Sequence, residues 1–238
     1  MTKRKIMFVG DVHGRFPHLR DLIETEHPDA VVVAGDFGYW YDHGKNKLIH
    51  MLEPSFDVPV YFVDGNHEDH DRLDQLVEQF GNQTPIDVGN NVYYIPRGCV
   101  FELFGYNICG AGGAFSIDFY LRKPGISWFP QEQLTEQQVN NLFDASKNVD
   151  IVVSHTCPFV ILDRVLDKCR IFGPVTVDNT ERLLDRILTM YNPSMWFFGH
   201  WHHFGHFRKN NTKFYLLDML HDFSTPRNRM QYRIIKEQ

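Results

Sequence analysis

Residues 63–71 read VDGNHEDHD and complete the apolar run Val58 to Val63. These nine positions hold one amide, two imidazoles and four carboxylates. A short apolar run rich in β-branched and aromatic residues is typical of a strand buried on both faces. Polar residues directly after such a strand lie at the edge where open α/β sheets bind their ligands. The stretch therefore predicts both a buried strand and part of a functional site.

Four other apolar runs end in the same way. The five predicted strands and the polar residues after them are Ile6 to Val9 with Asp11 and His13, Ala30 to Ala34 with Asp36, Val58 to Val63 with Asn66 and His67, Ile151 to Ser154 with His155, and Met195 to Phe198 with His200 and His202. Helices are predicted between strands where apolar residues recur at three- and four-residue spacing, as in Pro17 to Glu26. This alternation predicts an α/β fold with mixed sheets.

The middle of the chain has a different pattern. Residues 92–115, VYYIPRGCVFELFGYNICGAGGAF, alternate short β-rich runs with turn residues, which predicts a meander of strands. Further elements are predicted at capping boxes and β-rich runs: helices from Thr135 with Gln138 and from Asp178 with Glu181, and closing strands at Phe214 to Leu217 and Tyr232 to Ile235. Because no repeat or linker divides the chain, we interpret residues 1–238 as one domain.

Charge and composition exclude several classes of protein. The formal net charge is −6 and no basic stripe is present, which argues against dedicated binding of duplex nucleic acid. No run approaches the roughly 18 apolar residues of a membrane span, and the first residues lack a signal-peptide core, so we expect a cytoplasmic protein without a membrane segment. The four cysteines form no C-x-x-C pair, which favours free thiols over disulfides or a zinc site.

The polar residues at the strand ends form a large potential ligand set: Asp11, His13, Asp36, Asn66, His155, His200 and His202. Any one of them alone is more often a turn, cap or surface residue, and it is their recurrence at five strand ends that indicates metal. Seven ligands are too many for one tetrahedral ion and suit two divalent ions that share a carboxylate, with Asp36 as the predicted bridge. Manganese, iron, zinc and nickel all accept such ligands, and we favour manganese.

Two ions about 3.5 to 4 Å apart can hold a hydroxide between them and clamp the oxygens of an in-line displacement at phosphorus. The ligand set therefore predicts hydrolysis of a phosphoester. The chain has no G-K-[ST] sequence, which excludes a P-loop that binds a nucleoside triphosphate. It has no cysteine followed six residues later by arginine, which excludes a cysteine-dependent phosphatase.

The motifs "GDVHG" at 10–14, "GD" at 35–36, "GNHE" at 65–68, a strand-terminal His155 and "GHWH" at 199–202 resemble, in order, those of the calcineurin-like metallophosphoesterases. The resemblance implies an α/β fold of two packed mixed β-sheets flanked by helices in four layers. It also implies two metal positions, the first with Asp11, His13, Asp36 and His202, and the second with Asp36, Asn66, His155 and His200.

The same resemblance assigns roles around the "GNHE" motif. It implies that His67 is the catalytic residue that protonates or stabilises the leaving oxygen while a metal-bridging hydroxide attacks phosphorus. We expect Glu68 to orient neighbouring ligands through a hydrogen bond. Asp69, His70 and Asp71 are interpreted as helix cap and surface.

One motif departs from a branch of the family. Protein serine/threonine phosphatases of this superfamily continue the second motif as G-D-x-V-D-R-G, whereas residues 35–43 read GDFGYWYDH. Tyr39 and Trp40 stand where those proteins have an orienting Asp and a phosphate-clamping Arg, which weakens a protein-phosphatase interpretation. The segment 112–133 resembles instead a subgroup of small bacterial and phage phosphoesterases. Its Arg122 or Lys123 could replace the missing cation, although a solvated pair of loop residues is an equal alternative.

The predicted substrate is a phosphoester, with a nucleotide as one candidate, bound by Asn66 and Arg122. A phosphodiesterase is somewhat favoured over a phosphomonoesterase acting on protein or nucleotide. A nuclease and a docking module without catalysis are the remaining alternatives. Aromatic residues that could stack on a base or pack in the core are Tyr39, Trp40, Tyr41, Phe115, Tyr120 and Trp128.

Overall fold

The computed structural model of the protein describes residues 3–39, 55–173, 179–221 and 231–238. The helices in this part of the chain are α1 (Phe16–Glu26), α2 (His70–Phe80), α3 (Glu136–Leu142), α4 (Phe159–Cys169) and α5 (Asn179–Tyr191). None of these described helices is both long and apolar enough to cross a membrane. The strands are β1 (Lys5–Val9), β2 (Ala30–Val33), β3 (Val60–Phe62), β4 (Ile86–Gly89), β5 (Val92–Tyr94), β6 (Val100–Leu103), β7 (Tyr106–Ala111), β8 (Ile151–Ser154), β9 (Met195–Phe198), β10 (Gly205–Lys209), β11 (Thr212–Leu216) and β12 (Tyr232–Lys236).

The strands form two mixed sheets of six strands each, in the orders β12-β1-β2-β3-β5-β4 and β10-β11-β9-β8-β7-β6. The inner strands β1, β2, β3 and β5 of the first sheet run parallel, and so do β7, β8, β9 and β11 of the second. The edge strands β12, β4, β6 and β10 pair antiparallel. The predicted α/β fold with two packed mixed sheets is therefore confirmed.

Strand β1 shows why its residues read as a continuous apolar run. Met7 and Val9 pack into the core that the first sheet shares with helices α1 and α2. Ile6 and Phe8 point the other way, into a core between the two sheets. There the ring of Phe8 stacks on that of Phe197 from β9, with centroids 3.8 Å apart. A third core packs the second sheet against α3, α4 and α5, which completes four layers.

The sequence prediction for the middle of the chain needed correction. The predicted meander is only partly right, because β5 pairs with β3 in the first sheet while β6 and β7 form a hairpin in the second. The chain crosses between the sheets through Pro96, Arg97 and Gly98, which are among the turn residues that had predicted the meander. The strand ends that carry the predicted ligands come from both sheets.

Several local predictions can be compared directly. The capping box at Thr135 is present and opens α3. Cys99, Cys109 and Cys157 are buried free thiols, and Cys169 is a partly buried one. Asp178, Trp40 and Tyr41 lie outside the described residues.

Residues 112–135, which we call the β7–α3 loop, connect β7 to α3. Two single-turn 3-10 helices, Phe119–Leu121 and Pro130–Glu132, are its regular structure. Ile117, Tyr120 and Leu121 are 72%, 71% and 74% exposed, although their side chains are apolar or aromatic. The loop is therefore held by specific contacts elsewhere along its length rather than by burial of these side chains.

Candidate metal centre

The structure brings all seven predicted ligands to the edge where the two sheets meet. The first sheet supplies Asp11, His13, Asp36 and Asn66 from the turns after β1, β2 and β3, and the second supplies His155, His200 and His202 from the turns after β8 and β9. Asp11, Asp36, Asn66 and His155 are buried, whereas His202 is exposed. The two carboxylates, Asn66 and His155 thus form the floor of the site, and His202 lies at its mouth.

Asp36 lies between the two predicted metal positions. Its Oδ2 atom is 3.7 Å from Nε2 of His13 and 3.4 Å from Nε2 of His155, one imidazole from each position. Its Oδ1 atom accepts a hydrogen bond from the backbone N–H of His67 at 2.8 Å. This contact fixes the carboxylate so that Oδ2 faces both imidazoles, which is the arrangement that a bridging ligand requires.

The first predicted position is built around Asp11. Its Oδ2 atom is 3.0 Å from Nε2 of His202, and the Nε2 atoms of His202 and His13 are 3.4 Å apart. Its Oδ1 atom accepts from the backbone N–H of His200. The potential ligand atoms of Asp11, His13 and His202 all lie within 4.8 Å of one another, and so do those of Asp11, Asp36 and His155.

The second predicted position shows converging acceptor atoms. Nδ1 of His155 is 2.9 Å from the carbonyl oxygen of Ala34. Because a carbonyl only accepts, Nδ1 must carry a proton, and Nε2 is then available to a metal. Nε2 is 3.0 Å from Oδ1 of Asn66, and the ring of His200 lies 5.0 Å from that of His155. A proton on Nε2 can join these two atoms, and a cation fits in the same position.

The electrostatics of the cluster also fit a cation. Burial would lower the pKa of His155, but Asp36 and Asp11 raise it to about 10. Burial would likewise raise the pKa of Asp36, but His155 lowers it well below its ordinary value. Burial and the charge of His155 together lower the pKa of His200 to about 3. The buried carboxylates thus hold a positive charge between them, and a divalent ion can supply that charge in place of the proton.

The turns that carry the ligands have strained backbones. Four of the seven predicted ligands adopt positive φ: His13 at 48°, Asp36 at 46°, His200 at 68° and His202 at 46°. Such angles are uncommon for residues other than glycine and cluster at functional sites. A Cβ atom on Gly65 would also overlap the carboxylate of Asp36. The glycine of the "GNHE" motif is therefore required by the close approach of a ligand.

Arg122 of the β7–α3 loop reaches the predicted catalytic residue. Its Nη2 atom is 2.8 Å from Nε2 of His67 and 2.7 Å from the carboxylate of Asp118. Its Nη1 atom donates to the backbone carbonyl of Asn66 at 3.4 Å. Lys123, the alternative cation, is exposed. Arg122 is therefore the loop cation that lies beside the predicted metal positions.

The residues after His67 divide as follows. Glu68 is buried and accepts hydrogen bonds from the backbone N–H groups of Phe37 and Tyr39 at 2.7 and 2.6 Å, so it orients the turn after Asp36, and its role in orienting metal ligands stays a prediction. Asp69 caps α2. The prediction for His70 was wrong, because its side chain is buried and donates from Nε2 to the carbonyl of Gly65 at 3.0 Å. As the first residue of α2, it turns back toward the motif instead of toward solvent.

A cleft of about 700 Å³ opens over the ligands. Apolar residues from separate parts of the chain line it: Phe115 and Ile117 from the β7–α3 loop, Ile171 after α4 and Trp201 after β9. Two polar residues near the cleft were missed from the sequence. Ser116 and Glu132 contact Asn66 directly and indirectly, and they belong to an irregular loop without a motif. Neither periodicity nor spacing could have identified them.

Comparison with known proteins gives a consistent result. A family model described as calcineurin-like phosphoesterase matches residues 4–204. A curated relative, a lariat debranching enzyme of Schizosaccharomyces pombe, is 25% identical over 232 residues, and the match covers 81% of this chain and 47% of the relative, so the chain spans about half of that protein.

Solved structures show the same fold at low sequence identity. A dimetal phosphatase from Danio rerio superposes with a TM-score of 0.54 at 15% identity, covering 99% of this chain and 93% of that one. The phosphopantetheinyl hydrolase of Mycobacterium tuberculosis gives a TM-score of 0.54 at 14% identity, covering 98% and 96% of the two chains.

Proposed function

The chain belongs to the calcineurin-like phosphoesterase family, and on this premise we propose that it is a hydrolase of phosphodiesters that uses two divalent metal ions. The observation that carries the proposal is the position of Asp36, whose Oδ2 atom lies between an imidazole of each ligand group. Family membership and the ligand groups both support metal-dependent hydrolysis of phosphoesters. The preference for diesters, manganese as the ion and a cytoplasmic location are further parts of the proposal.

The proposed ligand assignment is the one that the family resemblance implies, and the contacts described above support it. Asp11, His13, Asp36 and His202 would hold one ion, and Asp36, Asn66, His155 and His200 the other. Two such ions supply Lewis acidity and lower the pKa of a coordinated water. The protein holds the ligand atoms at fixed distances from one another and in fixed orientations. Hydrogen bonds from His67 and His200 backbone N–H groups to Asp36 and Asp11 contribute to this arrangement.

Arg122 and His67 are the proposed substrate-binding and catalytic residues. A guanidinium only donates, so Nε2 of His67 accepts from Arg122 in this structure. A phosphate oxygen is a stronger acceptor than a neutral imidazole, and Arg122 would turn to it when substrate binds. His67 would then be released to face the leaving oxygen. Asp118 keeps Arg122 at the mouth of the cleft during this exchange.

The walls of the cleft support a diester. A phosphodiester carries an organic group on each side of phosphorus, whereas a monoester carries one. Apolar side chains enter the cleft both from the β7–α3 loop, with Phe115, and from the second sheet, with Trp201. Either aromatic ring could stack on a nucleobase, which makes a nucleotide diester the favoured substrate.

A second candidate comes from the curated relative in Schizosaccharomyces pombe, which is named a lariat debranching enzyme. The family model and the apolar cleft agree with action on a branched oligonucleotide. The net charge of −6 makes broad binding to a nucleic-acid backbone unfavourable, so any such activity would depend on contacts at the branch itself.

The proposal is tested by hydrolysis of bis-p-nitrophenyl phosphate and p-nitrophenyl phosphate by chelated protein to which Mn²⁺ is restored. We expect metal-dependent turnover with a higher kcat/KM for the diester, and a loss of roughly 10²- to 10⁴-fold in kcat for His67→Ala. His203→Ala is a matched control, because His203 is an exposed imidazole that follows the ligand His202 in sequence. A preference for the monoester would replace the diester proposal by a phosphatase. Two bound ions without turnover of any ester, including a branched oligonucleotide, would favour a docking module.

A further inference from the structure

Asn66 is the one amide among the seven predicted ligands, and an amide binds a metal through its oxygen. The side chain can rotate by half a turn and exchange Oδ1 with Nδ2 with almost no change of shape. In the rotated state the NH₂ group would face His155 and could not act as a ligand. A contact that favours one of the two orientations therefore prepares Asn66 as a ligand before the metal binds.

Ser116 and Glu132 of the β7–α3 loop supply such a contact. Nδ2 of Asn66 donates to Oγ of Ser116 at 3.0 Å. Oγ of Ser116 donates in turn to Oε2 of Glu132 at 2.7 Å, and the backbone N–H of Ser116 donates to Oε1 at 2.7 Å. All three side chains are buried, with exposed fractions of 4%, 1% and 0%.

The direction of these hydrogen bonds follows from the chemistry of the groups. An ionised carboxylate only accepts, so the hydroxyl of Ser116 gives its single hydrogen to Glu132. Its Oγ can then only accept from Asn66, which must present Nδ2 to it. The Oδ1 atom of Asn66 is thereby turned toward Nε2 of His155, 3.0 Å away.

Glu132, the last residue of this chain of hydrogen bonds, is itself held by further hydrogen bonds. The backbone carbonyl of Glu132 accepts from the N–H of Ala114 at 3.0 Å and from Nη2 of Arg97 at 3.2 Å. Arg97 is itself buried in an ion pair with Asp64, two residues before Asn66. The ligand and the groups that orient it are therefore fixed to one buried network.

We propose that Ser116 and Glu132 are positioning residues that fix the amide of Asn66 with its oxygen toward the second metal position. The inference rests on the proposed function, since it requires Asn66 to be a metal ligand. It assigns to the β7–α3 loop a part in metal binding that is separate from the contact of Arg122 with substrate.

Two substitutions should act differently. Ser116→Ala removes the acceptor of Nδ2, leaves the amide free to rotate and should weaken the second Mn²⁺ roughly 10- to 100-fold. Glu132→Gln should lower the affinity for the second Mn²⁺ more than Ser116→Ala does. The backbone N–H of Ser116 keeps the new amide oxygen, so the NH₂ group faces Oγ. Ser116 would then accept from residue 132 and donate to Asn66, which reverses the chain of hydrogen bonds and turns Nδ2 toward the metal.

The double variant gives the decisive comparison. In the double variant residue 116 has no hydroxyl, so it cannot accept a hydrogen bond from residue 132 and donate one to Asn66. Ser116→Ala combined with Glu132→Gln should therefore bind the second Mn²⁺ about as well as Ser116→Ala alone and better than Glu132→Gln alone. A role in packing would instead make the double variant the weakest of the three.

The experiment is a titration of chelated protein with Mn²⁺, in which electron paramagnetic resonance measures the free ion and the exchange-coupled pair. Ser127→Ala is the matched control, because it removes an exposed hydroxyl of the same loop. We expect the wild type and the control to bind two ions. The affinity for the second ion should be lower in Ser116→Ala and in the double variant, and lowest in Glu132→Gln. Wild-type affinity for both ions in Ser116→Ala, or additive losses in the double variant, would overturn the inference and leave the proposed function intact. Fewer than two ions in the wild-type protein would overturn both.

Discussion

The turns after the parallel strands and the β7–α3 loop both contribute to the site, but they are built in opposite ways. The turns are short and mostly buried, and four of the seven proposed ligands that they carry adopt left-handed backbone angles, such as 46° for φ of Asp36. The loop is long and irregular, and it exposes apolar side chains such as Leu121. Yet Ser116 and Arg122 of the loop contact Asn66 and His67. The sheets fix where the ligands lie, and a less regular segment fixes how two of the polar groups are oriented.

The largest effect is expected from removing the charge that lies between the two proposed ligand groups. Asp36→Asn keeps the shape of the side chain but replaces one carboxylate oxygen by NH₂. We expect kcat/KM for the preferred diester to fall roughly 10⁴-fold, which corresponds to about 5 kcal/mol. The count of Mn²⁺ ions retained by the protein after gel filtration should fall below two.

Unfolding of the metal-free protein serves as the check on structure for this variant. Burial would raise the pKa of Asp36, but His155 lowers it well below its ordinary value. The ionised carboxylate therefore stabilises the metal-free fold, and we expect Asp36→Asn to lower thermal stability while leaving a single cooperative unfolding transition. Retention of two ions and of more than a tenth of the activity would contradict Asp36 as the bridging ligand.

The second prediction concerns the contact that ties the loop to the turns. Arg97 donates from Nε and Nη2 to one oxygen of Asp64, at 3.0 and 2.7 Å, and from Nη2 to the carbonyl of Gln131 in the loop. Arg97→Met would leave a buried carboxylate without its cation, and we expect a loss of roughly 3 to 4 kcal/mol in the free energy of unfolding. Urea unfolding measures it. The control Arg4→Met removes an exposed pair with Glu237 and should have far less effect.

This second effect should depend on pH. Burial would raise the pKa of Asp64, but Arg97 lowers it below its ordinary value. The stabilisation by the pair is therefore present above the ordinary carboxylate range and is lost as the pH falls through the lowered pKa. The difference between wild type and Arg97→Met should shrink on acidification. A difference that grows at low pH would contradict the ion pair as its source.

The same contrast explains what the sequence could predict. The strands end in motifs whose residue types and spacing are local, so β8 and β9 were predicted at Ile151 to Ser154 and Met195 to Phe198 and the structure has these bounds. The proposed ligand set could be predicted because each member follows an apolar run. The crossing of Pro96 between sheets was missed, since a turn has the same local pattern whether the chain stays in its sheet or leaves it.

Contacts over long sequence distances were beyond such patterns. Ser116 meets Asn66 across 50 residues, and Arg97 meets Asp64 across 33. His70 was placed at the surface because its neighbours Asp69 and Asp71 are typical of a helix start. His70 is buried because its side chain packs back against the "GNHE" turn, where it contacts the carbonyl of Gly65. The spacing of apolar residues does not predict such a contact.

The smallest effects are expected from substituting one glycine in a ligand-bearing turn and one in the β7–α3 loop. Gly65 precedes Asn66, and a Cβ atom there would overlap the carboxylate and backbone N–H of Asp36. Gly125 of the β7–α3 loop has φ of 72°, but a Cβ atom would meet nothing within 4 Å. Gly65→Ala should cost roughly 1 to 3 kcal/mol by overpacking, and Gly125→Ala about 1 kcal/mol by backbone strain.

The two variants differ more in function than in stability. Gly65→Ala displaces Asp36, so we expect weaker binding of both Mn²⁺ ions and lower kcat, even at temperatures where the protein stays folded. Gly125→Ala should bind both ions and turn over substrate as the wild type does, because its strain stays local to an exposed turn. Equal losses of metal affinity in both variants would mean that the loop is as tightly coupled to the ligands as the turns are, and the distinction between the two regions would not hold.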